Sequence, residues 1–200
     1  MKLRMSTTSP YARKCLIVAS EAGIDGRIER VPTSPWAADT DLPKDNPLSK
    51  IPTLITDDGD TLYDSPVICE YLDSLHSGRK LIPAAGSDRW RQLKLQALCD
   101  GLLDASVMVR VETATRPEDK RWPQWIERQK AAMVRGLDSL ERECAQWGEE
   151  FLIGQITAIS ALGYIDLRGI LDWRAGRPRL AAWAERVSRR PSVAATVPKE

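Results

Sequence analysis

Two hydrophobic periods divide the chain. Up to about residue 78, short runs of alternating apolar and polar side chains are interleaved with runs at helical spacing; beyond it only helical spacing recurs. Leu3 and Met5 alternate with charges and predict a short strand. Ala12, Cys15, Leu16 and Ala19 then repeat at helical spacing up to Gly23, a residue suited to a C-terminal cap. A second strand fits Arg27 to Val31, and the Pro-, Trp- and Asp-rich connection from Pro32 to Pro47 reads as irregular. Thr53 to Thr56 and Thr61 to Tyr63 flank Asp57-Asp58-Gly59-Asp60, a hairpin turn in which Gly supplies positive φ. The next helix starts near Ser65-Pro66 and runs to about Leu75.

Gly78 precedes a natural linker, Arg79 to Ser87, that holds Pro83 and Gly86. Trp90, Leu93, Ala97, Leu102, Ala105 and Val109 then mark one long amphipathic helix, and Ile126, Met133, Leu137, Leu140, Cys144 and Trp147 a second. Ile159 to Trp173 is apolar on most sides and predicts a central buried helix; Leu180, Trp183, Ala184 and Val187 predict a short one after Pro178. The organisation expected is an α/β unit over 1–78, a linker over 79–87 and an all-helical unit over 88–200, with no internal repeat.

Composition narrows the function more than the fold. The 200 residues are 42% hydrophobic and 28% charged, as suits a folded globular chain. A net charge of +1 offers no field to gather nucleic acid or an anionic membrane. No window approaches the roughly 18 consecutive apolar residues of a membrane span, and Met1 to Ser6 has no apolar core of a secretory signal, so a cytoplasmic protein is expected. Cys15, Cys69, Cys99 and Cys144 are scattered in apolar settings without a CxxC, which fits reduced, buried thiols. His76 is the only histidine, which argues against Cys/His zinc sites and against histidine-based nucleophile systems; near a helix end it reads as a dipole partner.

Three corners carry residue types suited to chemistry. Ser9 lies between the first strand and first helix, with Pro10 as a first-turn proline, so it fits an N-cap; the same hydroxyl at a helix start can also donate to a thiolate. Ser6, Thr7, Thr8 and Tyr11 are neighbouring hydroxyls, and Thr8 is the main rival to Ser9. Lys50-Ile51-Pro52-Thr53 places a proline before a strand; if the Ile51-Pro52 bond is cis, the Ile51 backbone is exposed to pair with a peptide-like ligand. Asp64 and Ser65 open the second helix as capping types, and the same corner offers a carboxylate for an ammonium group and N–H and O–H donors for a carboxylate.

In order and spacing, these corners resemble the glutathione S-transferase family over essentially the whole chain, and most closely its bacterial serine-type members. The resemblance is carried by Ser9-Pro-Tyr-Ala-Arg-Lys14, Asn46-Pro-Leu-Ser-Lys-Ile-Pro-Thr-Leu54, Leu62-Tyr-Asp-Ser-Pro-Val-Ile-Cys-Glu-Tyr-Leu72, Lys80-Leu-Ile-Pro83 and Phe151-Leu-Ile-Gly154. Gly163-Tyr-Ile-Asp-Leu-Arg168, Asp172-Trp-Arg-Ala-Gly-Arg-Pro178 and Arg190-Pro-Ser192 are similar to segments of the serine-type members. It implies a thioredoxin-like α/β N-terminal domain followed by an all-α helical bundle.

What the resemblance implies for function is specific. Ser9 would hydrogen-bond the glutathione sulfur, Ile51 would clamp its cysteinyl part with Pro52 cis, Asp64 and Ser65 would hold the γ-glutamyl group, and Lys50 would face the glycyl carboxylate. Glutathione would be the co-substrate, without a metal, and its thiolate would attack a small hydrophobic electrophile. Tyr11, Trp36, Met108 and Arg110 are candidate electrophile-pocket residues. A non-catalytic glutathione or apolar-ligand carrier, and a glutathione-dependent isomerase or reductase, are the alternatives, and a homodimer is implied. Cys15, expected to face the core, does not suit the branch in which a cysteine replaces the active hydroxyl. The chain departs from the family where Ser/Thr-x-x-Asp commonly caps the buried helix: Thr157-Ala-Ile-Ser160 stands there, a cap expected to be weaker by roughly 0.5–1 kcal/mol.

Overall fold

A computed structural model describes residues 1–199 of the protein. Strand β1 (Lys2–Met5) leads into helix α1 (Pro10–Glu21), strand β2 (Glu29–Pro32), the hairpin β3 (Thr53–Ile55) and β4 (Thr61–Leu62), and helix α2 (Ser65–Ser74). The sheet order is β2-β1-β3-β4, with β1 parallel to β2 and the other neighbours antiparallel. A parallel pair needs a crossover, and α1 supplies it. Gly59 turns the hairpin at φ 88°, and Gly23 follows α1 at φ 71°, where the Ile24 N–H reaches back to the Ala19 carbonyl at 2.9 Å. Strand β2 starts at Glu29 rather than Arg27 because Asp25–Arg27 forms a 3₁₀ turn.

The segment between β2 and β3 is irregular apart from a 3₁₀ turn at Leu42–Lys44. It is held by Arg4, a buried cation on β1 whose guanidinium binds Asp45 at 2.5 Å and also Asp41. Leu3 and Leu54, paired across β1 and β3, are fully buried in a hydrophobic cluster that runs on through the helical half to Leu137, Ile156 and Val193.

That half comprises α3 (Gly86–Arg110), a π-helical turn at Val111–Thr115, α4 (Pro123–Glu143), α5 (Ile153–Arg168), α6 (Pro178–Ser188) and α7 (Pro191–Ala194). Two expectations are corrected. Helix α4 ends at Glu143, so Cys144 lies in a 3₁₀ turn and Trp147 beyond it, stacked edge-on against Trp183 at 4.6 Å. The central helix spans Ile153–Arg168 and not Ile159–Trp173: Gly169 closes it at φ 56°, and Trp173 is buried in the following loop, its indole N–H on Asp166 at 2.7 Å.

The earlier start of α5 also removes Thr157 and Ser160 from its N-terminus. Both are interior and donate to the carbonyls of Ile153 and Ile156 at 2.7 and 2.8 Å. Neighbouring segments satisfy the first N–H groups instead, Ile153 on the Leu81 carbonyl at 3.0 Å and Gly154 on the Gln92 side chain at 3.0 Å. A local cap at Thr157 is therefore not needed.

The connection between α2 and α3 is fastened by Asp73. Its buried carboxylate accepts the N–H groups of Leu81 at 2.9 Å and Ile82 at 3.1 Å, and meets His76 Nε2 at 2.9 Å. Lys80 closes the end of α2 by donating to the Asp73 carbonyl at 2.6 Å and the His76 carbonyl at 2.5 Å. Asp73→Ala strands two buried donors, so a loss of about 3 kcal/mol in urea unfolding is expected. A loss under about 1 kcal/mol would mean that Leu81 and Ile82 hold the connection by apolar packing alone.

Candidate functional site

Strand pairing brings the three corners together. Arg4 of β1 pairs with Thr53 of β3, so the Lys50-Ile51-Pro52 turn lies beside the chain leaving β1 toward Ser9. Leu54 pairs with Leu62 of β4, which sets Tyr63 and Asp64 on the other side of the same turn. The end of β1, the start of β3 and the end of β4 are therefore neighbours along one edge of the sheet.

At the first corner Ser9 caps α1. Its Oγ accepts the Ala12 N–H at 3.2 Å and its carbonyl accepts the Arg13 N–H at 3.0 Å. Capping uses an oxygen lone pair and leaves the hydroxyl proton free to donate. The rival Thr8 is differently placed, its hydroxyl 3.3 Å from that of Ser6. Ser9, and not Thr8, lines a cleft of ≈ 160 Å³ with Met5, Ser6, Thr7, Arg13 and Arg30.

At the second corner the Ile51-Pro52 bond is cis. Buried Asn46 secures the turn: its Nδ2 donates to the Lys50 carbonyl at 3.0 Å and to Thr53 Oγ1 at 3.1 Å, while Thr53 Oγ1 donates to the same carbonyl at 2.9 Å. The Ile51 backbone N–H and C=O make no hydrogen bond among the described residues, and Lys50 is exposed. Asn46 and Thr53, which the motif contains without an assigned role, are positioning residues. Asn-Pro ahead of the Ile-Pro turn was the available signal, because a buried side-chain amide is the usual substitute for missing backbone partners.

At the third corner the Asp64 carboxylate accepts the Ser65 N–H and its carbonyl accepts the Ile68 N–H at 3.0 Å, which starts α2. Ser65 is only 1% exposed, and its Oγ has no hydrogen-bond partner. An unpaired buried hydroxyl costs about 1–3 kcal/mol, and a ligand can return that amount.

Charge surrounds this corner. Tyr11 donates to Asp104 at 2.5 Å, and burial together with that carboxylate holds its phenol well above the ordinary range. Lys14, fully buried, binds both oxygens of Asp100 at 2.7 and 2.9 Å. Burial pushes the Asp100 carboxyl up and Lys14 draws it back, while Asp64 and Asp104 add repulsion.

The four candidate electrophile-pocket residues differ in burial, and Tyr11 meets Asp104 one turn before Met108 on α3. Trp36 is 73% exposed on the irregular segment, and Met108 and Arg110 are exposed on α3. Tyr11 alone joins an apolar wall, packing with Val107, Leu167 and Ile170 against Leu103, Ala161 and Tyr164. That wall is assembled from α1, α3 and α5 and has no local signature. Cys15 is buried with its thiol 3.8 Å from that of Cys69, and burial pushes the Cys15, Cys99 and Cys144 thiols up, which suits core packing rather than nucleophilic use. Among the described residues no group of three His, Cys, Asp or Glu side chains is placed to hold a metal ion, and no helix is long and apolar enough to cross a membrane.

A mixed four-stranded sheet with helices, followed by a helical region, defines a thioredoxin-like unit joined to a helical bundle. Residues 8–75 match the family described as glutathione S-transferase, N-terminal domain, and residues 123–186 match glutathione S-transferase, C-terminal domain. The chain belongs to the glutathione S-transferase family. It is 33% identical to the uncharacterized GST-like protein YibF of Escherichia coli, with 99% of this chain and 98% of that protein covered. A glutathione transferase family member from Pseudomonas fluorescens Pf-5, solved with bound glutathione, superposes with a TM-score of 0.95 at 46% identity, covering 100% of this chain and 99% of that one. A Pf-5 family member solved with bound S-(propanoic acid)-glutathione superposes with a TM-score of 0.91 at 44% identity and the same coverage.

Proposed function

We propose that this protein is a glutathione transferase that conjugates the glutathione thiolate to small electrophiles, with Ser9 as the hydroxyl that stabilises the sulfur. The observation that carries the reading is the convergence, at one sheet edge, of a free hydroxyl proton on Ser9, an unpaired Ile51 backbone and an unpartnered, buried Ser65 hydroxyl. These match the parts of the tripeptide: hydroxyl for sulfur, backbone for the cysteinyl amide, Asp64 and Ser65 for the γ-glutamyl ammonium and carboxylate, Lys50 for the glycyl carboxylate. Relatives solved with glutathione support the ligand assignment. Residues 1–78 form the glutathione-binding unit, 79–87 the linker, whose last two residues already open α3, and 88–200 the helical unit in this reading. The protein works in the cytoplasm without a metal, and neither nucleic acid nor membrane is a partner.

The mechanism follows from where the proton of Ser9 is free. A free thiol titrates near 8.5, and a helix N-terminus together with an O–H donor favours its anion; a fall of about 2 units is worth about 2.7 kcal/mol. The thiolate then attacks an electrophile held with its apolar body on the Tyr11, Val107 and Tyr164 wall, and proximity supplies the rest.

Ultraviolet thiolate absorbance of glutathione bound to the protein is expected to titrate about 2 pH units below free glutathione. In Ser9→Ala the acid limb of kcat/KM moves up toward the free-thiol value, and kcat falls about 100-fold. Loss of the cap costs the same variant about 1 kcal/mol of stability. Equal turnover by the variant would remove Ser9 from the mechanism, and saturable glutathione binding without thiolate formation would leave a carrier.

Ser65→Ala separates the site from the scaffold. Removing a buried hydroxyl with no partner is expected to hold or raise the stability of the ligand-free protein by about 1 kcal/mol, while glutathione affinity falls about tenfold. Destabilisation without loss of affinity would show that the hydroxyl serves packing alone.

Homodimerisation belongs to the same reading, and exposed Val67 on α2 and Trp90 on α3 suit an apolar contact with a second copy. Sedimentation is expected to give twice the chain mass of 22.4 kDa, and single-chain particles at working concentration would overturn it.

A further inference from the structure

The cleft that Ser9 shares with the C-terminal segment has an unusual charge balance. Its lining, which includes Ser9, Arg13, Arg30, Thr196 and Lys199, holds three cations and several hydroxyls but no Asp or Glu among the described residues. None of the three cations has a carboxylate partner among the described residues. Elsewhere in the molecule, by contrast, buried Arg4, Lys14 and Arg177 each meet an aspartate.

Arg13 is the sharpest case. It is only 6% exposed; its Nη1 donates to the Ile159 carbonyl at 3.1 Å and its Nη2 to the Val193 carbonyl at 3.4 Å, while Nε has no partner. Burial without a counter-ion pushes its guanidinium down to about 10. The fold makes room for the group: a Cβ on Gly163 would lie 2.1 Å from Arg13 Nη1 and 3.8 Å from Pro198 of the segment that covers the cleft. A buried cation satisfied by two neutral carbonyls, with two free cations and hydroxyl donors at the same opening, is a set suited to an anion.

We infer that this cleft binds a carboxylate carried by the electrophile, so that the second substrate is a small α,β-unsaturated carboxylic acid rather than a purely apolar compound. The inference rests on the transferase reading above and deepens it. At ≈ 160 Å³ the cleft takes a short acid and little more. In the reaction the glutathione sulfur forms a bond to the β-carbon, and the π pair of the carbon–carbon double bond moves to the α-carbon and carboxylate. A proton from water then completes the saturated thioether, with no leaving group. Arg13, Arg30 and Lys199 face the carboxylate whose charge increases during the addition, which places them as specificity and electrostatic groups beside Ser9.

Acrylate and acrylamide have nearly one shape and differ in charge, so they test the inference directly. After correction for the uncatalysed rates, kcat/KM is expected to favour acrylate about tenfold. Arg30→Gln and Lys199→Gln, both at exposed positions, should each lower the acrylate-to-acrylamide ratio of kcat/KM about tenfold without raising the KM for glutathione. Equal use of the two electrophiles by the wild type would overturn the inference. A rise in the glutathione KM with both electrophiles would also overturn it, because the carboxylate in the cleft would then be glutathione's own.

Calorimetric titration of propanoate, which cannot react, into the glutathione-saturated protein keeps the cleft testable if turnover is absent. Binding that weakens about tenfold in Arg30→Gln supports the cleft even where the transferase reading fails. No propanoate binding alongside measurable acrylamide turnover would overturn the cleft and leave the transferase reading standing.

Discussion

Every residue of α1 from Ala12 to Ala19 is buried, and two of them are cations. Charge enclosed in this way must find acceptors, and the acceptors lie in the other half of the chain: Asp100 of α3 for Lys14, and the carbonyls of Ile159 in α5 and Val193 in α7 for Arg13. Apolar contacts are non-directional and would tolerate sliding of α1 over the bundle; a lysine in a carboxylate fork does not. The orientation of α1, and with it the position of Ser9 at its N-terminus, is therefore tied to residues 86 or more positions further along the chain.

The sheet contributes the complementary constraint. Register between β1, β3 and β4 sets three chain reversals next to one another, and each reversal is held by a side chain that takes the place of absent backbone partners: Ser9, Asn46 and Asp64. Strand pairing is specified by the burial of Leu3 and Leu54, since a slip of one residue would turn both to the opposite face. The hydrophobic pattern of three short strands thus sets the geometry of a polar site.

Among the described residues the Ser65 hydroxyl, Arg13 Nε and Gln96 Nε2 are buried without hydrogen-bond partners. The Ser65 hydroxyl, the Ile51 backbone and Arg13 Nε all belong to segments that meet at the ends of β1, β3 and β4 or along α1. Folded chains seldom leave such groups unpaired in the interior, and those at the corners are suited to polar ligands. Asp73 shows the opposite case, a buried carboxylate whose acceptors are occupied by the connection it fastens, with nothing left to offer a ligand.

Element types and the three corners were legible in the sequence because strand and helix periods, N-capping residues and turn prolines are local signals. The α/β region, the long α3 and the short α6 followed from them, as did the family. What failed was nonlocal. Helix α5 starts six residues before the apolar run suggests, because the Leu81 carbonyl and Gln92 satisfy its first N–H groups in place of a capping residue. The apolar wall around Tyr11 draws on α1, α3 and α5, so no single segment announces it. Arg13 reads in the sequence as one more residue of an amphipathic helix. Only the closing of α5, α7 and the C-terminal segment around it makes it a buried cation without a counter-ion, since the dielectric and the partners of a charge are properties of its three-dimensional surroundings.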